Sequence, residues 1–189
     1  MATSAKVLMT PEAVLSFPAL FVPRPPMPGS TGDAKYEATL VFAPGTDLKE
    51  LREEATKVAN EKFGGKLSAL IQAGKFKTPF LTEEGVDAKD LKYPKGSIFI
   101  RAKAKTKPGV VSVHDKNTLI SDPNIMYSGC IVRATVRPFT YDQSGNKGVA
   151  FGLNNICRIR DGVRIDGRKA AKDEFDSVEA PEELGDDTL

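Results

Sequence analysis

Residues 127–160 read YSGCIVRATVRPFTYDQSGNKGVAFGLNNICRIR, and this stretch decides the fold. Two runs of alternating apolar and polar residues flank the cluster Asp142, Gln143, Ser144, Gly145 and Asn146, the pattern of a β-hairpin. With Ser144 and Gly145 at the tip, residue n of one arm opposes residue 289 − n of the other, so Val132 meets Cys157 and Val136 meets Leu153. Cys130, Val132, Ala134 and Val136 then share a face with Val149, Phe151, Leu153, Cys157 and Ile159. The opposite face collects Arg133, Arg137, Phe139, Tyr141, Arg158 and Arg160, with Gly148, Ala150 and Gly152 between them. A slip of one residue would mix the two sets, which favours this register. One face is core; the other is cationic, aromatic and flat.

Such a face suits single-stranded nucleic acid, because guanidinium groups meet phosphates, rings stack on bases, and small residues let a base approach the sheet. The competing reading is an ordinary solvated sheet face. Residues 97–107, SIFIRAKAKTK, add a second basic row: Arg101, Lys103, Lys105 and Lys107 fall at every second position, opposite Ile98, Ile100, Ala102 and Ala104. Cations about 7 Å apart along a strand approximate the separation of successive phosphates. The alternative is an edge strand that uses Lys against aggregation. For the rings, the alternative is that Pro138 breaks the alternation and turns Phe139 and Tyr141 into the core.

Outward from these strands, residues 14–22 (VLSFPALFV) form a strand that Pro18 marks as an edge or a bend. The Pro- and Gly-rich run from Pro23 to Asp33 is a stiff connecting loop in which Arg24 could touch a ligand. KYEATLVF, residues 35–42, is a second strand with Tyr36, Ala38, Leu40 and Phe42 on one side. Leu48, Leu51, Ala55, Val58 and Ala59 then recur at helical spacing, started by Thr46 or Asp47 and ended by Gly64 and Gly65. A short second helix covers Leu67 to Ala73, and residues 74–96 fit no clear element. Pro108 and Gly109 turn the chain so that Val110 to His114 pairs back on the preceding strand.

With 189 residues, 40% of them apolar and 28% charged, the chain has room for one well-cored domain and appendages. No run approaches a membrane span, and the opening MATSAKVLMTPEA has no secretory h-region. Cys130 and Cys157 fall nearly opposite each other on the core face and are expected as buried free thiols of a reducing cytoplasm, a bridge between them being the alternative. The net charge of +2 hides an asymmetry: the stretch from Asp173 to Leu189 carries eight acids and no base, which leaves 27 bases against 17 acids before it. The expected division is a basic binding domain over residues 1–172 and a flexible acidic tail over residues 173–189.

Enzyme signatures are missing from the sequence. His114 is the one histidine, and there is no CxxC pair, Walker A loop, GxGxxG or GxSxG. Asp142, Ser144 and Asn146 are spaced like a calcium loop, but Lys147 stands where Gly is needed and Leu153 where the bidentate Glu belongs. No metal or cofactor is expected.

YSGC (127–130), FTYD (139–142), GNKGVAFGLNNI (145–156) and RDG (160–162) together resemble the tailed-phage single-stranded-DNA-binding protein family. SFPALF (16–21), KYEATLVF (35–42) and the GR before a Phe-containing acidic tail extend the resemblance over nearly the whole chain. It implies a mainly β, oligonucleotide-binding (OB) barrel with one or two helices, acting in phage DNA replication, recombination and repair in the bacterial host cytoplasm, without catalysis. It also implies single-stranded DNA as ligand, an acidic tail that competes for the basic face, and phage or host replication proteins as the tail's partners. A homo-oligomer is compatible with it. A single-strand annealing recombinase and a phage structural or scaffolding protein are the alternatives. The expected contacts are Arg101, Lys103, Lys105, Lys107, Arg133, Arg137, Arg158 and Arg160 on phosphates and Phe139 and Tyr141 on bases, assigned from strand parity.

Overall fold

Strand β9, Asn146–Arg160, is 15 residues long and sets the architecture. Along one edge it pairs antiparallel with β8, Ile131–Gln143. Its other edge takes three shorter parallel partners in succession: β4 (Phe76–Lys77), β6 (Ile98–Ala104) and β7 (Gly109–Ser112). The computed structural model describes residues 6–29, 32–82, 93–143, 145–167, 174, 175 and 177, so the hairpin tip at Ser144 and most of the expected acidic tail lie outside the described residues.

The remaining strands are β1 (Leu8–Met9), β2 (Ala13–Arg24), β3 (Lys35–Phe42) and β5 (Leu81–Thr82). β2 pairs with β3, β3 with β6, β6 with β9, β9 with β8 and β8 with β2, which closes a five-stranded barrel. This is the mainly β, OB-type barrel expected from the sequence. Two helices, α1 (Lys49–Phe63) and α2 (Leu67–Gln72), sit between β3 and β6. Leu51, Ala55 and Ala59 of α1 are buried in the same core as Leu40, Ile100, Val136 and Phe151. The Asp47 carboxylate accepts the Lys49 N–H at 2.8 Å, satisfying one of the orphan donors of the first turn. Gly64, at φ 50°, ends the helix.

The hairpin register holds from Gln143↔Asn146 back to Val136↔Leu153, as the sequence predicts. Beyond that point Asn154 is an extra residue, and Thr135 pairs with Asn155. The bulge reverses the parity of the residues that follow it as far as Arg158, after which a second register shift pairs Arg160 with Ile131. Val132 therefore faces Arg158, not Cys157, and Ile156 takes the core position, 1% exposed, while Cys157 lies beside Arg133 on the outer side. The expected pair of core thiols is thus corrected: Cys130 is buried, Cys157 is half-buried, and both are free. A second correction concerns the segment after Pro108. Val110 to Ser112 pairs with β9, because β9 runs on past the end of β6 and leaves an edge for it.

The register makes two neighbours unequal. Ile156→Ala is expected to cost about 2–5 kcal/mol and Cys157→Ala less than about 1, measured as shifts in urea midpoint. Burial pushes the Cys130 thiol from 9.0 up to about 11. Folding therefore retains a proton that the unfolded chain has lost between about pH 9 and 11, and stability falls across that window. Native-state alkylation near pH 8 should mark Cys157 and spare Cys130.

Candidate nucleic-acid interface

The alternation of β3, β6, β9 and β8 turns Ala38, Leu40, Ile100, Ala102, Phe151 and Val136 inward, each at most 1% exposed. Their neighbours in sequence face out. Glu37 pairs with Lys103, Lys103 with Gly152 and Gly152 with Arg137, so one row crosses four strands. Thr39 lies opposite Arg101 and Phe139 opposite Ala150 in the next row. At about 4.8 Å between strands, the Lys103 and Arg137 backbones are roughly 10 Å apart, with Gly152 between them.

Phe139 is 47% exposed. Pro138 is buried in line with Val136, so the alternation continues through it and the ring points out. A Cβ placed on Gly152 would stand 4.0 Å from both the Phe139 ring and the Lys103 carbonyl. The ring thus borders a shallow gap with a cationic strand on either side. Tyr141 belongs less to this surface. Its hydroxyl lies over Gly148, where a Cβ would be 2.7 Å from the oxygen and would collide with the Lys77 carbonyl of β4. Burial raises the Tyr141 phenol above its ordinary value. Gly148 is therefore a packing position, and the gap open to a ligand is at Gly152.

Of the basic row, Arg101 and Lys103 project from β6, while Lys105 and Lys107 follow its end. Lys103 reaches the Glu37 carboxylate at 3.1 Å, and Arg24 pairs with the same carboxylate, whose side chain is 17% exposed. Lys105 pairs with Asp33 at 2.9 Å; the hydrogen bond between them lowers the Asp33 carboxyl and raises the Lys105 amine. Lys107 sits 5.9 Å from the centre of the Phe21 ring. A cleft of about 450 Å³ opens beside this group, lined by Arg24, Pro26, Lys35, Thr39, Arg101 and Lys103.

The other three arginines lie elsewhere. Arg133 faces outward at the far part of β8, where it contacts Met9 and shares a hollow with Asp47 and Glu50. Arg160 is paired with Glu12 at 2.6 Å. Arg158 is a correction: the bulge puts it on the side of Val132, and its guanidinium donates to the Ile125 carbonyl at 3.1 Å and to Asp161 at 2.6 Å. It ties a loop to the barrel end instead of facing outward with Arg137.

Two aromatic residues beyond the expected set bound the surface. Tyr93 donates to the Ser16 hydroxyl and packs 5.8 Å from Phe99. Burial raises the Tyr93 phenol. Next to Ser16, Phe17 is 53% exposed at φ 45°, a backbone region that costs a non-glycine residue on the order of 1–3 kcal/mol. Its sequence signal is the pre-proline position inside an apolar strand.

A closed five-stranded barrel with an open cationic and aromatic face across β3, β6, β9 and β8 has the form of an oligonucleotide-binding protein. The family described as "Enterobacter phage Enc34, ssDNA-binding protein" matches residues 6–185, and the chain belongs to it. "Putative protein p50" of Acyrthosiphon pisum secondary endosymbiont phage 1 is 34% identical over 176 residues, covering 89% of this chain and 92% of that protein. The single-stranded DNA-binding protein of bacteriophage Enc34, solved in complex with ssDNA, has the same fold at a TM-score of 0.66 and 21% identity, over 84% of this chain and 88% of its own. The single-stranded DNA-binding protein gp2.5 of bacteriophage T7 matches with a TM-score of 0.58 and 13% identity, over 90% of this chain and 99% of its own.

The outward placement of Phe139 has a measurable consequence. Phe139→Ala should change stability by no more than about 0.5 kcal/mol, whereas Val136→Ala, three residues away in the core, should cost on the order of 1–3. Denaturant midpoints of the two variants would reverse that order if the ring were packed inside.

Proposed function

We propose that this chain binds single-stranded DNA without sequence preference, along the outward face of β3, β6, β9 and β8. The observation that carries the reading is the row Lys103, Gly152, Arg137 with the exposed Phe139 ring at its gap. Cations on both sides meet the phosphates, and the ring stacks on a base that the missing side chain of Gly152 admits. Arg101, Lys103 and Arg137 form the centre, and Lys105, Lys107 and Tyr141 its margins. Arg133 and Arg160 are too far along the barrel to join the same few nucleotides, and serve only where the strand wraps on.

Residues 1–172 act as the binding domain and residues 173–189 as a polyanionic tail. A tethered polyanion competes for a basic face at high effective concentration, and single-stranded DNA displaces it with more charges and with stacking. The released tail is then free to recruit replication proteins. The reading is of a binding protein with no reaction of its own, acting in phage replication, recombination and repair in the host cytoplasm. Among the described residues no helix is long and apolar enough to cross a membrane.

A fluorescent oligothymidine of about 30 nucleotides, titrated against a matched duplex at several salt concentrations, tests this. Single strands should bind more tightly, with a steep salt slope near 0.7 per neutralised phosphate. Arg101→Ala and Lys103→Ala should each lower the slope by about that amount, Phe139→Ala should weaken binding by about 1–3 kcal/mol with the slope unchanged, and a chain ending at Lys172 should bind more tightly. Equal binding of both nucleic acids, or of neither, would discard the reading.

A further inference from the structure

Phe17 is, among the described residues, the one non-glycine residue at positive φ. It lies where β2 slips register between Ser16 and Ala19, next to Pro18. Both of its backbone polar groups are held by side chains: its N–H donates to the Ser128 hydroxyl at 3.1 Å, and its carbonyl accepts from Arg24 Nη2 at 3.1 Å. These fixings hold an apolar ring half in solvent, which packing alone does not call for.

The position of the ring accounts for them. Phe17 and Arg24 line the cleft of about 450 Å³ beside Arg101 and Lys103. Both also line a second cleft of about 480 Å³ on the other side of β2. The walls of that second cleft include Asn124, Tyr127 and Arg164, with the Arg164 guanidinium 4.2 Å above the Tyr127 ring. The cavity is thus edged by a ring, a stacked guanidinium plane and an amide, groups that hold and hydrogen-bond an unpaired base. Phe17 stands at the divide between the two.

We propose that Phe17 is a second stacking platform, over which a single strand leaves the β3–β6 face and delivers an unpaired nucleobase into the cleft of Asn124, Tyr127 and Arg164. The inference rests on the single-strand reading of the main face and extends its path across β2. The strained backbone holds the ring ready for the base before DNA arrives. Arg24 serves both sides: its guanidinium pairs with Glu37 on the face and fixes the Phe17 carbonyl at the crossing.

The test is a series of oligothymidines of about 4 to 16 nucleotides, the range of sites covered by one such barrel, bound to the full chain and to Phe17→Gly, Phe17→Tyr and Arg101→Ala. For the unaltered chain, affinity should rise with length in two stages. Phe17→Gly should bind the shortest oligonucleotides like the unaltered chain and lose the second stage, about tenfold or more. Phe17→Tyr should restore it. Since glycine relieves the positive φ, the melting temperature of Phe17→Gly should hold or rise, which separates loss of the platform from loss of fold. If Arg101→Ala weakens binding at every length while Phe17→Gly changes none, the second platform is refuted and the main face stands. If the unaltered chain binds no single strand, the main reading fails first and this inference with it.

Discussion

Everything in this barrel depends on β9 finding a partner along its whole length. Fifteen residues are too many for a flat strand in so small a barrel, and the insertion of Asn154 resolves this by bending the strand midway. Before the bend, the odd residues of β9 face the core and the even ones, Gly148, Ala150 and Gly152, face out. After it, Ile156 faces the core. The outer surface of the hairpin is therefore two surfaces. Its tip half carries Arg137, Phe139 and Gly152, alongside Arg101 and Lys103. Its far half carries Arg133 and Cys157, alongside Met9 and the start of α1. Four arginines that look like one patch in the sequence, Arg133, Arg137, Arg158 and Arg160, belong to different parts of the molecule because the register shifts along the hairpin.

The charges on the tip half are not laid out as a bare cationic strip. Glu37 is held between Arg24 and Lys103, and Asp33 pairs with Lys105. Exposed ion pairs of this kind contribute about 0–1 kcal/mol, so they fix the directions of the long side chains at little cost to separation. On the proposed reading, an incoming phosphate exchanges one anionic partner for another. In that mode, movement of the protein's own carboxylates replaces part of the ion release that usually drives nucleic-acid association. Selectivity for a strand with exposed bases falls, in the same reading, to the exposed rings Phe139 and Phe17.

Much of this was legible in the sequence, for reasons that particular residues make plain. β3 occupies the predicted residues 35–42 because Tyr36, Ala38, Leu40 and Phe42 recur at every second position and a turn signal stands at each end. The tip of the hairpin follows from its polar cluster. The far half does not, although a signal was present: strict alternation from Leu153 would have sent Asn155 into the core, and no apolar residue fills that place. Asn154 and Asn155, followed by Ile156 and Cys157, are two polar and then two apolar residues in a row, which is how a bulge reads. The pairing of Val110 to Ser112 was hidden for a different reason. Local pattern gives a strand's faces but not its neighbour, and a four-residue strand takes whichever edge the long strands leave open. Phe17 was hidden because apolar residues in a strand read as core, and only three-dimensional pinning reveals one held outside.

The site cannot be reduced to the hairpin that announces it. Phe17 and Arg24 come from β2, Glu37 from β3, Arg101 and Lys103 from β6, and Arg137, Phe139 and Gly152 from the hairpin. These meet only when β2 closes on β8 and β6 lies parallel to β9, contacts that join residues more than a hundred positions apart in the first case and about fifty in the second. Such closures are costly in chain entropy. A partly folded chain therefore presents scattered cations but no ordered row of rings and charges. The bond from Phe17 to Ser128 belongs to the same closure, since Ser128 lies just ahead of β8 and next to the Gly129 whose N–H bonds the Leu15 carbonyl. The Phe17 N–H finds its Ser128 partner only in a closed barrel, so the ring's fixed, exposed position exists only when the fold is complete.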